Sequence, residues 1–358
     1  MKSILKVVFV VIGTIIGAGF ASGQEIWLFF NQYGNWGAVG MLASCYISGM
    51  IIYRVFHVVE KTKVTSYDEL LKRISGHKIF NHAISIIISL FLLISFYIMV
   101  AGMSALFHQE FGFPIWICSI FMAIFCYLVL QKDMKGIMIV NSILIPALIL
   151  FILYLGIQNL DFTVSYLEVK TVEVQNTWQW IMSSILYASY NSIMLVPMLV
   201  ELKPYITSKT RGKQVGMICA IVLSLLGLSL FTLLLRGNKS IYSLELPMIE
   251  IIKSFGKMNS YLYIGVVITA IFTTAISAGY GFLKNQVSRK QFSKGDVAKR
   301  EGQYYQKVLL AICVSAPLVA NIGFSNLVSK LYPMFGILGL IQIIFLFGYK
   351  VTNQTARR

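Results

Sequence analysis

The stretch Gly13-Thr14-Ile15-Ile16-Gly17-Ala18-Gly19-Phe20-Ala21-Ser22-Gly23-Gln24-Glu25-Ile26 decides how the chain is read. It sits inside an apolar run from about residue 4 to Phe30, long enough as a helix to cross roughly 30 Å of hydrocarbon. Four glycines in eleven residues weaken that helix, yet backbone groups left unpaired in hydrocarbon are costly. Such a break survives where it lines a cavity or binds something. Close helix packing is the competing reading, because Gly13/Gly17 and Gly19/Gly23 are GxxxG pairs, but it leaves Gln24 and Glu25 unexplained. The spacing is not GxGxxG and no strand precedes it, so a dinucleotide loop is excluded.

The rest of the chain agrees with a membrane setting. Of 358 residues, 57% are hydrophobic and 12% charged, and the mean hydropathy is +0.76. A water-soluble enzyme of this length has no interior large enough for about 204 apolar residues. Apolar runs punctuated by polar or Gly/Pro loops fall at 4–30, 36–58, 80–107, 114–131, 137–157, 177–200, 214–236, 260–283, 305–323 and 326–349. They are continuous rather than alternating, which predicts about ten transmembrane helices and argues against a β-barrel. A cleaved secretory signal at the start is disfavoured, since apolar sequence continues to Phe30. Cys45, Cys118, Cys126, Cys219 and Cys313 are odd in number, lie in apolar stretches and show no CxxC spacing, against both a disulfide framework and a metal cluster.

With ten spans both termini lie on one side. The loops of that side hold 24 Lys and Arg against 6 on the other, which predicts cytoplasmic termini and accounts for the net charge of +16 without nucleic acid. In the cytoplasmic loop before span 3, Ser66 and Glu69 have capping-box spacing, predicting a short helix over 66–75. On the outside, Leu246-Pro247 followed by Met248 to Phe255 predicts a short amphipathic helix that either packs on the surface or serves as a lid.

Glu25 is the one acid well inside a span, and a charge at mid-membrane costs about 3 kcal/mol on insertion scales. With Gly17 to Gly19 at the midplane it lies about 9 Å higher, which predicts a hydrated outer vestibule. Span 6 carries Tyr187-Ala188-Ser189-Tyr190-Asn191-Ser192, read as a second interruption, with neighbouring helices as the alternative satisfier of those polar groups. A cut near residue 165 gives two five-span halves, 1–165 and 166–358. The breaks in spans 1 and 6 then become counterparts in halves of opposite topology, a pointer to a transporter's central site. Span 8 adds Thr269, Thr273, Thr274 and Ser277 on one side of a helix, hydroxyls that either bond back to the helix or suit a small hard cation. Tyr97 and Ser95 of span 3 are candidates for the remaining wall.

The Gly13-to-Ile26 motif resembles the opening signature of the YkvI-like membrane proteins, a permease-type group in the amino acid, polyamine and organocation transporter superfamily. That resemblance covers essentially the whole chain. It implies an all-α LeuT-type fold of five plus five inverted helices, with spans 1 and 6 unwound. It implies a substrate carboxylate at the amides of Gly17, Ala18 and Gly19, its amino group facing Ala188, Ser189, Tyr190 and Asn191, with Tyr97 nearby. For a sodium-coupled member it implies a cation among Gly13, Ile16, Thr273 and Thr274, with Ser277 adjacent; other relatives use protons. Glu25 is left as gate, proton carrier or substrate contact.

The function expected is secondary active transport of an amino acid or related small zwitterion across the cell membrane, driven by sodium or protons. Each charge moved contributes about 2.3 kcal/mol per 100 mV. No other cofactor is expected. An intramembrane enzyme is disfavoured by the lack of HExxH, GxSxG and P-loop motifs, with His57, His77, His82 and His108 all near span ends. A non-transporting sensor or partner subunit with the same fold is the alternative, and a channel would need unitary currents to support it.

Overall fold

A computed structural model describes residues 2–75, 78–159, 178–206, 208–237, 241, 244, 246–290, 297–321 and 324–350. Among these residues every regular element is a helix. Span 1 is divided into α1 (Lys2–Ile15), α2 (Ala18–Ala21) and α3 (Gln24–Phe29). Then come α4 (Asn35–Thr62), α5 (Tyr67–Ser75), α6 (Lys78–Phe111), α7 (Ile115–Leu130) and α8 (Asp133–Gln158). The second part holds α9 (Gln179–Glu201), α10 (Lys209–Leu234), α11 (Pro247–Lys253), α12 (Lys257–Arg289), α13 (Val297–Ala320) and α14 (Phe324–Gly348). The division expected at 165–166 lies outside the described residues.

Seven of these helices are long and apolar enough to cross a membrane. α7 and the apolar part of α1 are shorter apolar helices. Large apolar side chains such as Trp116, Phe121, Ile143, Leu150, Val314 and Leu318 are exposed, as expected of surfaces whose solvent is lipid rather than water.

Span 6 departs from expectation. α9 is one continuous helix from Gln179 to Glu201, with no unwound segment at Tyr187 to Ser192. Its serines and asparagine in this stretch donate back within the helix. Ser189 Oγ donates to the Ile185 carbonyl at 2.6 Å, Ser192 Oγ to Ser189 at 2.6 Å, and Asn191 Nδ2 to Tyr187 at 3.0 Å. These return bonds let hydroxyls and an amide sit in a buried helix at little cost. The helix is buried continuously from Tyr187 to Val200 and so has no lipid face there.

The short helices form where expected. Ser66 Oγ accepts the Glu69 N–H at 3.3 Å, and the Glu69 carboxylate reaches back to the Thr65 N–H at 2.7 Å, one residue earlier than a standard capping box. α11 opens on Pro247, a residue suited to a first helical turn, and the Met248 N–H donates to the Ser22 carbonyl at 2.9 Å. α11 is thereby fastened to span 1.

Small residues set a close helix crossing between α4 and α10. A Cβ placed on Gly216 of α10 would fall 2.5 Å from the Gly49 carbonyl oxygen of α4, and one on Gly49 would fall 2.8 Å from the Gly216 carbonyl oxygen. Backbones in such contact gain packing that side chains in lipid cannot supply. Gly216→Leu is expected to destabilise the protein by about 1–3 kcal/mol or more through overpacking. Thermal unfolding in detergent checks this, with Gly265→Ala as the control, because nothing lies within 4 Å of a Cβ there.

Candidate functional site

The break in span 1 has two joints. Helical bonding runs through Ile16, whose N–H reaches the Ile12 carbonyl at 2.8 Å; Gly17 then turns extended at φ −100° and ψ −168°. After the single turn of α2, Gly23 adopts φ +83°, a left-handed conformation that favours glycine, and α3 begins. The last carbonyls of α1 are therefore left without their usual donors in the middle of the protein.

α12 supplies partners on both sides of the break. Thr274 Oγ1 lies 3.1 Å from the Gly13 carbonyl and 2.9 Å from the Ile16 carbonyl. Farther along the same helix, Tyr263 OH donates to the Ala21 carbonyl at 2.6 Å. Thr273 Oγ1 bonds back into its own helix, to Thr269 at 2.9 Å and Ala270 at 3.2 Å, while Ser277 Oγ is buried without a partner.

Glu25 is 2% exposed, so it is enclosed rather than set in a hydrated vestibule. Its chain folds back over span 1. A Cβ on Gly19 would meet the Glu25 Cγ at 2.6 Å and Cδ at 2.7 Å, and the carboxylate lies beside the Phe20 amide. Tyr190 OH of α9 donates to Glu25 Oε2, which ties span 6 to the break in span 1. Rings close around this bond. Tyr190 is stacked between Phe29 at 5.8 Å and Tyr332 at 4.8 Å, and Tyr187 meets Phe29, Phe30 and Tyr190 edge-on at 4.9–5.4 Å.

The expected site residues are thus partly gathered. Gly13, Ile16 and Thr274 are joined directly, and Gly17 faces Thr274, whose Oγ1 would be 3.3 Å from a Cβ there. Ala18 and Gly19 lie in α2 with Glu25 against Gly19, and Tyr190 joins Glu25. Ala188 is fully buried, and Ser189 and Asn191 spend their donors inside α9. Tyr97 points elsewhere, hydrogen-bonded to Ser315 of α13 at 2.7 Å, while Ser95 is buried with an unpartnered hydroxyl. Span 3 instead presents Met99 to Gly17, its Cε 3.6 Å from a Cβ there, and Gly102 to Ala18. Sequence reasoning missed Tyr263, Tyr332 and Asn141, the last fully buried in α8 with Oδ1 2.6 Å from a Cβ placed on Gly13.

No family model matches the chain. It is 27% identical over 346 residues to the uncharacterized membrane protein YkvI of Bacillus subtilis (strain 168), covering 94% of this chain and 93% of that one. It is 24% identical over 361 residues to the uncharacterized protein YyaD of the same organism, covering 98% of both. Among solved structures, the substrate-bound outward-open state of a Na+-coupled sialic acid symporter matches with a TM-score of 0.67 at 15% identity, over 96% of this chain and 78% of that one. MhsT in complex with L-phenylalanine matches with a TM-score of 0.65 at 15% identity, over 98% and 91%. Along nearly its whole length the chain is similar in sequence to YkvI and YyaD, and it shares the LeuT-type fold of the two solved structures.

Proposed function

We propose that the chain is a secondary active transporter of ten spans, with cytoplasmic termini, that carries an amino acid or related small zwitterion together with sodium. The observation that carries this reading is the shared hydroxyl of Thr274. It has one proton and stands within bonding distance of two carbonyls, Gly13 and Ile16, so one of them is always short of a donor. A small cation satisfies both oxygens and the hydroxyl lone pairs at once. Thr273 precedes Thr274 in α12 with its hydroxyl bonded back to Thr269 and Ala270, and Ser277 stands one turn on. The fold of the Na+-coupled sialic acid symporter supports the sodium assignment, and that of MhsT with its bound L-phenylalanine supports an amino-acid-like substrate.

In this reading the substrate lies against Gly17, Ala18 and Gly19 of span 1 and the Ala188 to Asn191 turn of span 6, where the two helices approach. Glu25 serves as the outer gate. Its bond from Tyr190 joins the helices, the surrounding rings exclude water, and substrate arrival opens or re-forms that bond. α11, fastened to Ser22, covers the same end.

Sodium at 100 times its dissociation constant is expected to stabilise the purified protein by about 2.7 kcal/mol, and Thr274→Val to abolish that gain. Sodium-independent unfolding of the wild type would remove the cation assignment. In liposomes with an inward sodium gradient, Gly17→Leu and Gly19→Leu are expected to abolish uptake from a panel of amino acids while leaving folded protein in the membrane. Normal uptake by both would refute the central site, and saturable binding by the wild type without counterflow would favour a sensor. Glu25→Gln keeps an acceptor for Tyr190 and is expected to retain sodium-driven uptake, whereas Glu25→Ala and Tyr190→Phe lower it severalfold. A flat pH profile in Glu25→Gln, where the wild type has a sloping one, would instead make Glu25 a proton carrier.

A further inference from the structure

Two buried polar groups beside the break in span 1 have no partner. Asn141, in the first half of α8, is fully buried, and neither its Oδ1 nor its Nδ2 is hydrogen-bonded. Ser277 of α12 is 2% exposed, and its Oγ is also unpartnered. A buried amide or hydroxyl in that condition is strongly disfavoured unless something else satisfies it. α8 and α12 both pack on α1 and on each other, so the two orphans belong to helices that flank the same break.

Gly13 brings Asn141 together with Thr274, the residue one turn before Ser277. Its missing side chain admits the Asn141 amide, whose Oδ1 is 2.6 Å from where a Cβ would stand, while its carbonyl is bonded by Thr274. Asn141 and Thr274 thus meet the same residue from two helices. Every donor atom there is a neutral oxygen, and among the described residues no cluster of His, Cys, Asp or Glu could hold a metal ion. Divalent ions are held by carboxylates, whereas the negative end of a helix dipole with carbonyl, hydroxyl and amide oxygens suits a small monovalent cation.

We propose that Asn141 supplies an amide-oxygen ligand to the cation site, with the Ser277 hydroxyl beside it, so that sodium is held by three helices rather than two. This rests on the sodium reading above. Bound sodium then clamps α8 to α1 and α12, and its departure leaves Asn141 unsatisfied and α8 free to part from α1.

The test is thermal unfolding of the purified full-length protein in detergent, titrated with sodium chloride against choline chloride at constant ionic strength. Asn141→Leu, which removes both unpaired polar atoms, is expected to unfold at a higher temperature than the wild type without sodium. It is also expected to need at least tenfold more sodium for its half-maximal shift. Ser277→Ala moves the half-point the same way by less, and Asn141→Asp, which adds a negative charge to the site, lowers it. A wild-type half-point in Asn141→Leu overturns the proposal and makes Asn141 a packing or water-binding residue. Should that variant fail to fold, an unchanged half-point in Asn141→Asp overturns it equally. A wild type indifferent to sodium sinks the cation site as a whole, whereas a sodium-responsive wild type with unaffected Asn141 variants sinks only the third helix's part.

Discussion

A helix cut open between two sheets of hydrocarbon has to find new partners for its carbonyls, and that demand organises the centre of this protein. The cut at Ile16–Gly17 is met from α12, which reaches below it with Thr274 and above it with Tyr263. Because one helix serves both pieces of span 1, displacing either piece disturbs a bond to α12. The lower contact is the weaker of the two in kind: a hydroxyl divided between two acceptors is less saturating than the single short bond from Tyr263. Loosening is therefore easiest on the α1 side of the break.

Above the break the chemistry changes from oxygen to aromatic. An acid is sealed among Phe29, Tyr187, Tyr190 and Tyr332, with a phenol as its hydrogen-bond donor and a glycine beneath it to make room. Gly19 and Glu25 are six residues apart and depend on each other, since a side chain at 19 would occupy the volume that the carboxyl now fills. The glycines of the motif thus have different duties. Gly13 and Gly19 admit neighbouring side chains, and Gly23 allows a backbone angle that other residues resist.

How far the sequence reveals this differs between spans 1 and 6. In span 1 four glycines and an acid announce a discontinuity, and the structure has one at that place. In span 6 the serines and asparagine look similar in composition, but that helix contains no glycine, and Ser189, Asn191 and Ser192 bond back to their own turn. Polarity alone does not separate a broken helix from one that satisfies itself; the loss of helix propensity does. The hydroxyls of span 8 were legible as a group, yet spacing cannot say that Thr274 turns to span 1 while Thr273 turns back on its own helix. Tyr97 lay at a suitable depth and on the wrong face. Asn141 gave no signal, since one amide in an apolar span reads as ordinary packing until its neighbours are known.

The crossing of α4 and α10 through Gly49 and Gly216 has a mechanical consequence. Two helices held apart by side chains slide by letting those chains change rotamer, a cheap adjustment. Helices whose backbones touch have no such cushion, and relative sliding there means lifting one main chain over the other. The pair therefore behaves as one stiff rib. A change in bilayer thickness that presses on either helix is felt by both.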